Sequence, residues 1–304
     1  MPPNRRVLRA MFKRRLLPVL PWLSRTNVSI HEVFHPLIDP VSDSLQRRTL
    51  HVDDVLIASY PRSGNTWLRF LLFEIFTGRS GEYAEVRRAI PFVNYQHSAE
   101  PLLPDDGRLI KTHEPFHGAY EGKRAIYLVR DARDVAISEH RYRLRNGSYR
   151  GDLDAFTEVF VKGRAQRFGS WSRHVESWLE SGSARGGRVL IVKFENLRGD
   201  TEGTLAAIVE FLGIDRGPEE IAAAVKNNSV ENMRAKEDRT IRDPSKESAI
   251  IFRPVRSDLR FINQGAVGGW RGRLTEGQIR TIERACGPML SRLGYHVEGL
   301  RVSL

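Results

Sequence analysis

The stretch from Val55 to Trp67 reads VLIASYPRSGNTW, and it decides the fold class of this chain. Its first four residues are apolar, as in a strand that is buried on both faces of a sheet. The proline, serine and glycine that follow are typical of a turn. Residues 65–77 then carry apolar side chains at helical spacing up to Gly78, a residue type that commonly ends a helix. The stretch therefore predicts a strand, a turn and a helix in succession.

The same alternation continues along the rest of the chain. Apolar runs predict further strands at 108–111, 125–129 and 189–192, whereas residues 234–262 are polar and predict irregular structure. Alternating strands and helices are typical of a mostly parallel sheet flanked by helices on both faces. We therefore predict a single α/β domain with such a central sheet. Further helices are predicted at 134–145, 156–161, 171–179, 201–212, 218–225 and 278–293.

Composition excludes several classes of protein. The chain has 304 residues and one cysteine, Cys286, so an intramolecular disulfide framework and a CxxC metal or redox site are both excluded. No apolar run approaches the roughly 20 residues that a membrane-spanning helix needs. The formal net charge is 48 − 37 = +11, which suits anionic ligands such as nucleotides or acidic glycans.

Much of the excess positive charge lies at the N-terminus. Residues 1–25 contain seven Lys and Arg residues and no Asp or Glu. Pro18 and Pro21 interrupt a helix there, and no cleavage site of a secretion signal follows. We predict that residues 1–50 form a basic arm and lead-in and that residues 51–304 form the folded domain of a cytoplasmic protein. Peripheral contact of the arm with a membrane stays an alternative to a plain extension.

The turn before the first predicted helix is a candidate phosphate site. Backbone N–H groups and the dipole at a helix N-terminus bind anions, and Gly64 lets the chain approach an anion closely. Ser63, Asn65 and Thr66 add side-chain donors, and Arg62 adds charge with bidentate geometry. The loop is not a Walker A motif, because GxxxxGK[ST] is absent. An ordinary capped turn is the alternative.

A second candidate site follows the predicted strand 108–111. The segment Lys111-Thr112-His113-Glu114-Pro115-Phe116 begins where this strand ends, and ligands of open α/β sheets bind beyond the carboxyl ends of the strands. His113 suits a general base near neutral pH, and Lys111 suits the stabilisation of developing negative charge. His117 is a weaker candidate for the base, and a surface loop with a structural histidine is the alternative.

Two further segments add candidate ligand groups. Residues 127–138 read YLVRDARDVAIS, which places Arg130 at a strand end, where an anion could be held, and Ser138 along the following helix. A salt-bridged helix start would explain the same pattern. Residues 261–271 read FINQGAVGGWR, a glycine-rich loop that permits close approach to a ligand, with a plain loop as the alternative.

Together the four segments resemble the sulfotransferases that use 3′-phosphoadenosine 5′-phosphosulfate (PAPS), in particular the cytosolic type. That family reads roughly YPKSGTTW in its phosphosulfate loop, which residues 60–67 match, and KTHLP in its catalytic segment, which residues 111–115 match at four positions. Its RNxKDxxVS segment is matched by residues 130–138, and its RKGxxGDW loop in part by residues 263–270. The resemblance covers roughly residues 54–294 and keeps the motif order. It implies a sulfotransferase fold of the P-loop nucleotide kinase type.

The resemblance also implies the chemistry. His113 would take the proton of an acceptor hydroxyl or amine, while Lys111 and Arg62 would stabilise charge on the sulfuryl group and the leaving phosphate. The acceptor would be a small molecule, a sugar or a lipid. No metal is implied, no nucleic-acid partner is expected, and the oligomeric state stays open. The sequence does not identify the acceptor.

The resemblance implies three contacts with the donor. Residues 62–66 would hold the 5′-phosphosulfate, and Arg130 and Ser138 would hold the 3′-phosphate. The adenine would lie near Trp67 and near Phe194, which replaces a family tyrosine and therefore lacks its hydroxyl. The full implied set is Arg62, Ser63, Gly64, Asn65, Thr66, Trp67, Arg130, Ser138, Phe194 and Gly265.

Two more departures from the family concern charge. Arg62 replaces the loop lysine, and arginine stays protonated, so it stabilises a leaving group without donating a proton to it. Asn263 and Gln264 replace an Arg-Lys pair that helps to hold the 3′-phosphate, which weakens the predicted clamp unless Arg260 or Arg271 substitutes.

Two other functions remain as alternatives to sulfuryl transfer. One is a P-loop-like kinase, against which the missing Walker lysine argues. The other is a catalytically inactive protein that binds a nucleotide or a polyanion. An acceptor pocket, or simply the core, would account for six aromatic residues, namely Tyr83, Phe92, Tyr95, Phe116, Tyr142 and Phe168.

Overall fold

Four parallel strands form the sheet of the described structure, in the order β2-β1-β3-β4. The computed structural model describes residues 50–93, 99–243, 254–263 and 265–298. Within the sheet, Ile57 of β1 lies beside Lys111 of β2 and Ile126 of β3. The predicted α/β architecture with a parallel sheet is confirmed. The strands are β1 Val55–Ser59, β2 Leu109–Thr112, β3 Arg124–Val129 and β4 Val189–Lys193.

Helices follow the strands along the chain and cover both faces of the sheet. The helices predicted at 65–77 and 171–179 are found at these positions as α1 and α5, and the other predicted helices are found with ends shifted by a few residues. Four helices were not predicted: α2, α6, α7 and α10. The helices are α1 Asn65–Thr77, α2 Tyr83–Ala89, α3 Ala132–Asn146, α4 Leu153–Val161, α5 Trp171–Leu179, α6 Gly182–Arg185, α7 Phe194–Gly199, α8 Thr201–Phe211, α9 Pro218–Asn227, α10 Val230–Arg242 and α11 Glu276–Arg292.

The alternation of side chains along β1 divides the core into two clusters. Val55 and Ile57 belong to a cluster with α1, α2, α8 and α9, whereas Leu56 and Ala58 belong to a cluster with α3, α4, α5 and α11. All four side chains are fully buried. This explains why β1 is an unbroken apolar run, because both of its faces are covered by helices.

The prediction of irregular structure over 234–262 is wrong at its start, which lies in α10. The inner face of α10 carries charged residues, and hydropathy therefore does not reveal it. Lys236 donates a hydrogen bond from Nζ to Ser80 Oγ at 2.9 Å. Glu237 accepts a hydrogen bond from the Phe261 backbone N–H at 2.7 Å. Buried polar groups with such partners are as compatible with a helix interface as apolar ones.

Some predictions fall outside the described residues. The structure of the basic arm up to residue 49 is one, and Tyr95, Gln264 and residues 244–253 are others. The described residues belong to one compact unit, Thr49–Leu304, and the division of the chain at residue 50 stays a prediction. Among the described helices, none is both long and apolar enough to cross a membrane.

Candidate active site

A cavity of about 370 Å³ lies beyond the carboxyl ends of β1, β2 and β3. All four sequence segments contribute to its lining, so the structure brings together residues that are up to 208 positions apart, from Pro61 to Gly269. Only Ser63 among the predicted site residues does not line it. The predicted residues that line the cavity are Arg62, Gly64, Asn65, Thr66, Trp67, Lys111, His113, Arg130, Ser138, Phe194 and Gly265.

The turn between β1 and α1 depends on Gly64. This residue precedes α1 with φ of 98°, a conformation that glycine adopts without strain. A Cβ at this position would lie 2.5 Å from the Phe194 ring. No side chain caps α1, and the first backbone N–H groups of a helix have no partner within it. These N–H groups are suited to donate hydrogen bonds to an anion at the cavity.

The two polar side chains beside Gly64 differ in their hydrogen bonds. Asn65 donates from Nδ2 to the Ile57 carbonyl and to Ser59 Oγ, both at 3.1 Å, so its amide ties α1 to β1. Ser63 is fully buried, and its Oγ has no hydrogen-bond partner within the described residues. Thr66 lines the cavity, and its contact with a phosphate stays a prediction.

Arg62 is held by contacts on three sides. Its Cζ lies 4.6 Å from the centre of the Tyr142 ring and 4.7 Å from that of Phe261. Its Nε donates a hydrogen bond to Ser138 Oγ at 3.3 Å. Burial lowers the pKa of Arg62, with Glu139 opposing this shift, but a guanidinium remains charged near neutral pH. The cavity therefore contains a fixed positive charge beside the turn.

The imidazole of His113 has a defined tautomer. Its Nδ1 lies 2.8 Å from the Ser59 carbonyl oxygen, and a carbonyl only accepts hydrogen bonds, so Nδ1 carries the proton. In the neutral ring Nε2 is then unprotonated. Burial, together with the nearby charge of Lys111, lowers the pKa of His113 well below its usual range. The side chain is thus a neutral base whose available nitrogen is Nε2.

The backbone of His113 is also fixed. Its carbonyl lies 2.9 Å from Nε2 of His174, a buried residue of α5. Tyr127 Oη lies 2.9 Å from the other ring nitrogen of His174. Burial lowers the pKa of His174 to about 4, so this ring is neutral and donates from Nε2 to the His113 carbonyl. The catalytic candidate therefore rests on β3 and α5.

Lys111 has a buried amino group in the same cavity. Its Nζ lies 3.9 Å from the centre of the Phe92 ring, and it forms no ion pair with another described residue. Burial, with smaller contributions from Arg69 and Arg62, lowers its pKa well below the usual range. A carboxylate partner is what a buried lysine normally requires, so this position is well suited to an anionic ligand.

Arg130 connects the turn to the glycine-rich loop. It donates to the Arg62 carbonyl at 3.2 Å and to the Ala266 carbonyl at 2.9 Å, and its Cζ lies 4.4 Å from the centre of the Phe194 ring. Its buried Nε has no hydrogen-bond partner in the described part of the chain. One donor of this buried guanidinium is therefore unpaired within the described part of the chain.

The sequence did not identify several charged residues of the cavity wall. Arg141, Arg198 and Arg273 line the cavity, whereas Arg260 is bonded to Asp238 at 2.9 Å and does not line it. The suggestion that Arg260 or Arg271 replaces the missing Arg-Lys pair is therefore not supported, since neither belongs to the cavity lining. The motifs could not reveal these three arginines, because all of them lie outside the four segments.

Of the six aromatic residues considered for an acceptor pocket, three line the cavity: Phe92, Tyr142 and Phe168. Phe116 packs against the core cluster that contains Leu56, and Tyr83 belongs to the cluster that contains Val55. Among the described residues no group of three or more His, Cys, Asp or Glu side chains is arranged to hold a metal ion.

Comparison with known proteins identifies relatives over the same region. The family model described as sulfotransferase domain matches residues 52–294. Sulfotransferase 2A1 of Mus musculus is 29% identical over 243 residues, which are 76% of this chain and 82% of the mouse protein. Sulfotransferase 1A1 of Bos taurus is 30% identical over 251 residues, which are 76% of this chain and 81% of the bovine protein.

A solved structure supports the fold. Retinol dehydratase, in complex with androsterone and the inactive cofactor PAP, superposes with a TM-score of 0.65 at 20% sequence identity. The alignment covers 83% of this chain and 84% of that chain.

Proposed function

We propose His113 as the general base of this chain, which belongs to the family of sulfotransferase domains and transfers a sulfuryl group from PAPS to an acceptor. The membership rests on the family model over residues 52–294 and on relatives of up to 30% identity among those compared. The family assignment does not favour the kinase or the inactive-binder alternative. The roles of individual residues in this reaction are our proposal.

The observation that carries the assignment of the base is the hydrogen bond between His113 Nδ1 and the Ser59 carbonyl, at 2.8 Å. It leaves Nε2 unprotonated in a ring that lines the cavity. In the reaction, an acceptor oxygen forms a bond to sulfur while the bond from sulfur to the 5′-phosphate oxygen breaks. The proton of the acceptor hydroxyl passes to Nε2, and the products are the sulfate ester and 3′-phosphoadenosine 5′-phosphate (PAP).

Fixed positive charge would stabilise the transfer. Lys111 and Arg62 line the same cavity as His113, and α1 begins at the turn beside this cavity. Charge that is already in position costs no reorganisation when the leaving phosphate develops its negative charge. As in phosphoryl transfer, the protein supplies positioning and electrostatic stabilisation more than covalent chemistry.

The nucleotide would lie at the opposite end of the cavity from Phe168. Arg130 and Ser138 would bind the 3′-phosphate, and the available Nε of Arg130 supports that role. Arg198 and Arg273 are the lining arginines that we propose in place of the absent Arg-Lys pair. The adenine would lie near Trp67 and Phe194, whose rings are 6.3 Å apart. That retinol dehydratase was solved with PAP supports the binding of this nucleotide, and its position in the cavity is our proposal.

The acceptor would be a small molecule with a hydroxyl or amine that reaches His113. Phe92 and Phe168 lie 5.6 Å and 6.1 Å from the His113 ring, centre to centre, and give this end of the cavity apolar walls. The androsterone bound to retinol dehydratase is an apolar small molecule of this kind. A sugar or a lipid with such a hydroxyl is an alternative acceptor within the same proposal.

Calorimetric titration with PAP, 5′-AMP and ATP in the absence of magnesium tests the donor site. We expect PAP to bind more tightly than 5′-AMP and ATP, because only PAP carries the 3′-phosphate. Tighter binding of ATP, or equal binding of PAP and 5′-AMP, would contradict the proposed site. Transfer of labelled sulfate from PAPS to a panel of alcohols and phenols then tests the reaction itself.

A further inference from the structure

The cavity contains a buried carboxylate that the donor site does not use. Glu139 follows Ser138 in α3, lines the cavity and is 1% exposed. Its Oε1 accepts hydrogen bonds from Arg143 Nε at 2.7 Å and Gln166 Nε2 at 2.5 Å. Its Oε2 is buried and has no hydrogen-bond partner in the described part of the chain. A buried carboxylate oxygen without a partner is costly.

The position of Glu139 connects it to the acceptor end of the cavity. Gln166, which is bonded to Glu139, lines the cavity, as does Phe168 two residues further on. The ring of Phe168 in turn lies beside the His113 ring. The nucleotide end is marked by different residues, Trp67 and Phe194. The carboxylate therefore shares a wall with the base rather than with the adenine.

A purely structural role does not account for Oε2. The contact between α3 and residues 165–166 uses Oε1 of Glu139, together with a hydrogen bond from Arg143 to the Ala165 carbonyl. A side chain with a single acceptor oxygen would make the same contacts. The second oxygen is therefore an unpaired acceptor on a side chain that lines the cavity.

The charges around Glu139 select the chemistry of that ligand. Arg143 already compensates the carboxylate in part, and Arg62 is its largest favourable charge interaction. Lys111 and Arg141 line the same cavity. A cationic group would be repelled by these side chains, whereas a neutral hydroxyl can donate to Oε2 without that penalty.

We propose that Glu139 Oε2 accepts a hydrogen bond from a second hydroxyl of the acceptor, distinct from the one that is sulfated. The preferred acceptor is then an apolar molecule with two hydroxyl groups, one at His113 and one at Glu139. This inference rests on the proposed function, because it places the acceptor beside His113. It assigns to Glu139 a role in specificity and none in the transfer step.

The test uses the full chain saturated with PAP and three phenols that differ only at the end of a two-carbon arm. They are 4-(2-hydroxyethyl)phenol, 4-ethylphenol and tyramine, which end in a hydroxyl, a methyl and an ammonium group. Calorimetry should show that the hydroxyethyl compound binds about tenfold more tightly than the ethyl compound, as expected for a hydrogen bond to a charged group. Tyramine should bind no more tightly than 4-ethylphenol.

Two variants assign this preference to Glu139. Glu139→Met removes both acceptor oxygens and should abolish the preference for the hydroxyethyl compound. Glu139→Gln keeps an acceptor and a similar shape, so it should fold more reliably and should reduce the preference without abolishing it. Glu158→Gln, on an exposed side chain of α4 that pairs with Lys162, is the matched control and should leave the preference unchanged.

Several results would overturn the inference. One is equal binding of the hydroxyethyl and ethyl compounds to the unmodified chain, and another is an unchanged preference in both Glu139 variants. Tighter binding of tyramine than of the hydroxyethyl compound would contradict the inference, because Glu139 would then prefer an ammonium group to a hydroxyl. Failure of all three phenols to bind the PAP-loaded chain would remove the acceptor from this cavity. Failure of PAP itself to bind would contradict the proposed function instead, and is recognised before any phenol is added.

Discussion

Arg62 Nε and Ser138 Oγ are hydrogen-bonded at 3.3 Å. We propose that Arg62 contacts the sulfuryl group and that Ser138 contacts the 3′-phosphate, so the residues proposed for the two ends of the donor touch each other. A bound donor would compete with this contact, because its oxygens would accept hydrogen bonds from the same Arg62 and Ser138 groups. The Tyr142 and Phe261 rings, which contact the guanidinium and lie 6.0 Å from each other, limit how far Arg62 moves in response.

Replacement of Arg62 tests its proposed role in charge stabilisation. Arg62→Ala should lower kcat about 100-fold, which is typical for the loss of one group that stabilises charge in the transition state. Arg62→Lys should recover most of this loss, because a point charge is sufficient for a leaving phosphate. Steady-state kinetics at saturating PAPS measures both variants. Equal kcat values for Arg62→Ala and the unmodified chain would contradict the role.

Replacement of His113 tests the base. His113→Ala should lower turnover by about 100-fold to 10,000-fold, the usual range for general base catalysis, while PAP affinity stays within a factor of about two. His117→Ala is the matched control, since His117 lies outside the cavity lining and contacts Glu114 instead. The base would have to be sought elsewhere if His113→Ala retained substantial turnover, or if His117→Ala lost as much.

The pH dependence of the reaction tests the electrostatics around His113. Burial and Lys111 lower its pKa, so the imidazole stays neutral to lower pH than a solvent-exposed histidine, whose pKa is about 6.5. The acid limb of kcat/KM should therefore lie below that pH. Lys111→Met removes a repelling charge, raises the pKa of His113 and should move the acid limb to higher pH. A limb that moves to lower pH, or not at all, would argue against this coupling.

Two glycine replacements separate backbone strain from close packing. Gly64→Ala and Gly78→Ala both place a side chain at positive φ, which costs about 1–2 kcal/mol. At Gly64 the new Cβ would also overlap the Phe194 ring, whereas nothing lies within 4 Å at Gly78. Gly64→Ala should therefore destabilise the fold by about 1–3 kcal/mol more than Gly78→Ala. Urea unfolding of the two variants measures the difference, and equal losses would contradict the packing explanation.

The fold could be predicted from the sequence because β1 and α1 have clear local patterns of apolar residues. The apolar run that begins at Val55 is buried on both sides, and Gly78 ends α1 in the left-handed conformation. In contrast, α10 was missed because Lys236 and Glu237 occupy its inner face. Their burial depends on partners far away along the chain, such as Ser80 and Phe261, and no local pattern reports such partners.

The candidate site was accessible only in part. The segments around Arg62, His113 and Arg130 were recognised through their order and their positions at strand ends. The sequence does not show the direction in which a side chain points. The Asn65 amide, for example, is bonded to Ile57 of β1. Glu139 was overlooked because a glutamate on a helix is usually solvated, and only the packing of α3 against Gln166 makes it part of the cavity.

Helix α3 carries Ser138 at the proposed donor end of the cavity and Glu139 on the side where we propose the acceptor. Because a helix moves as a unit, a displacement of α3 that widens the room for one substrate changes the room for the other. Engineering of a new acceptor preference should therefore exchange side chains on α3 and leave its backbone in place. Insertions or loop exchanges at either end of this helix would alter sulfate-donor use together with acceptor choice.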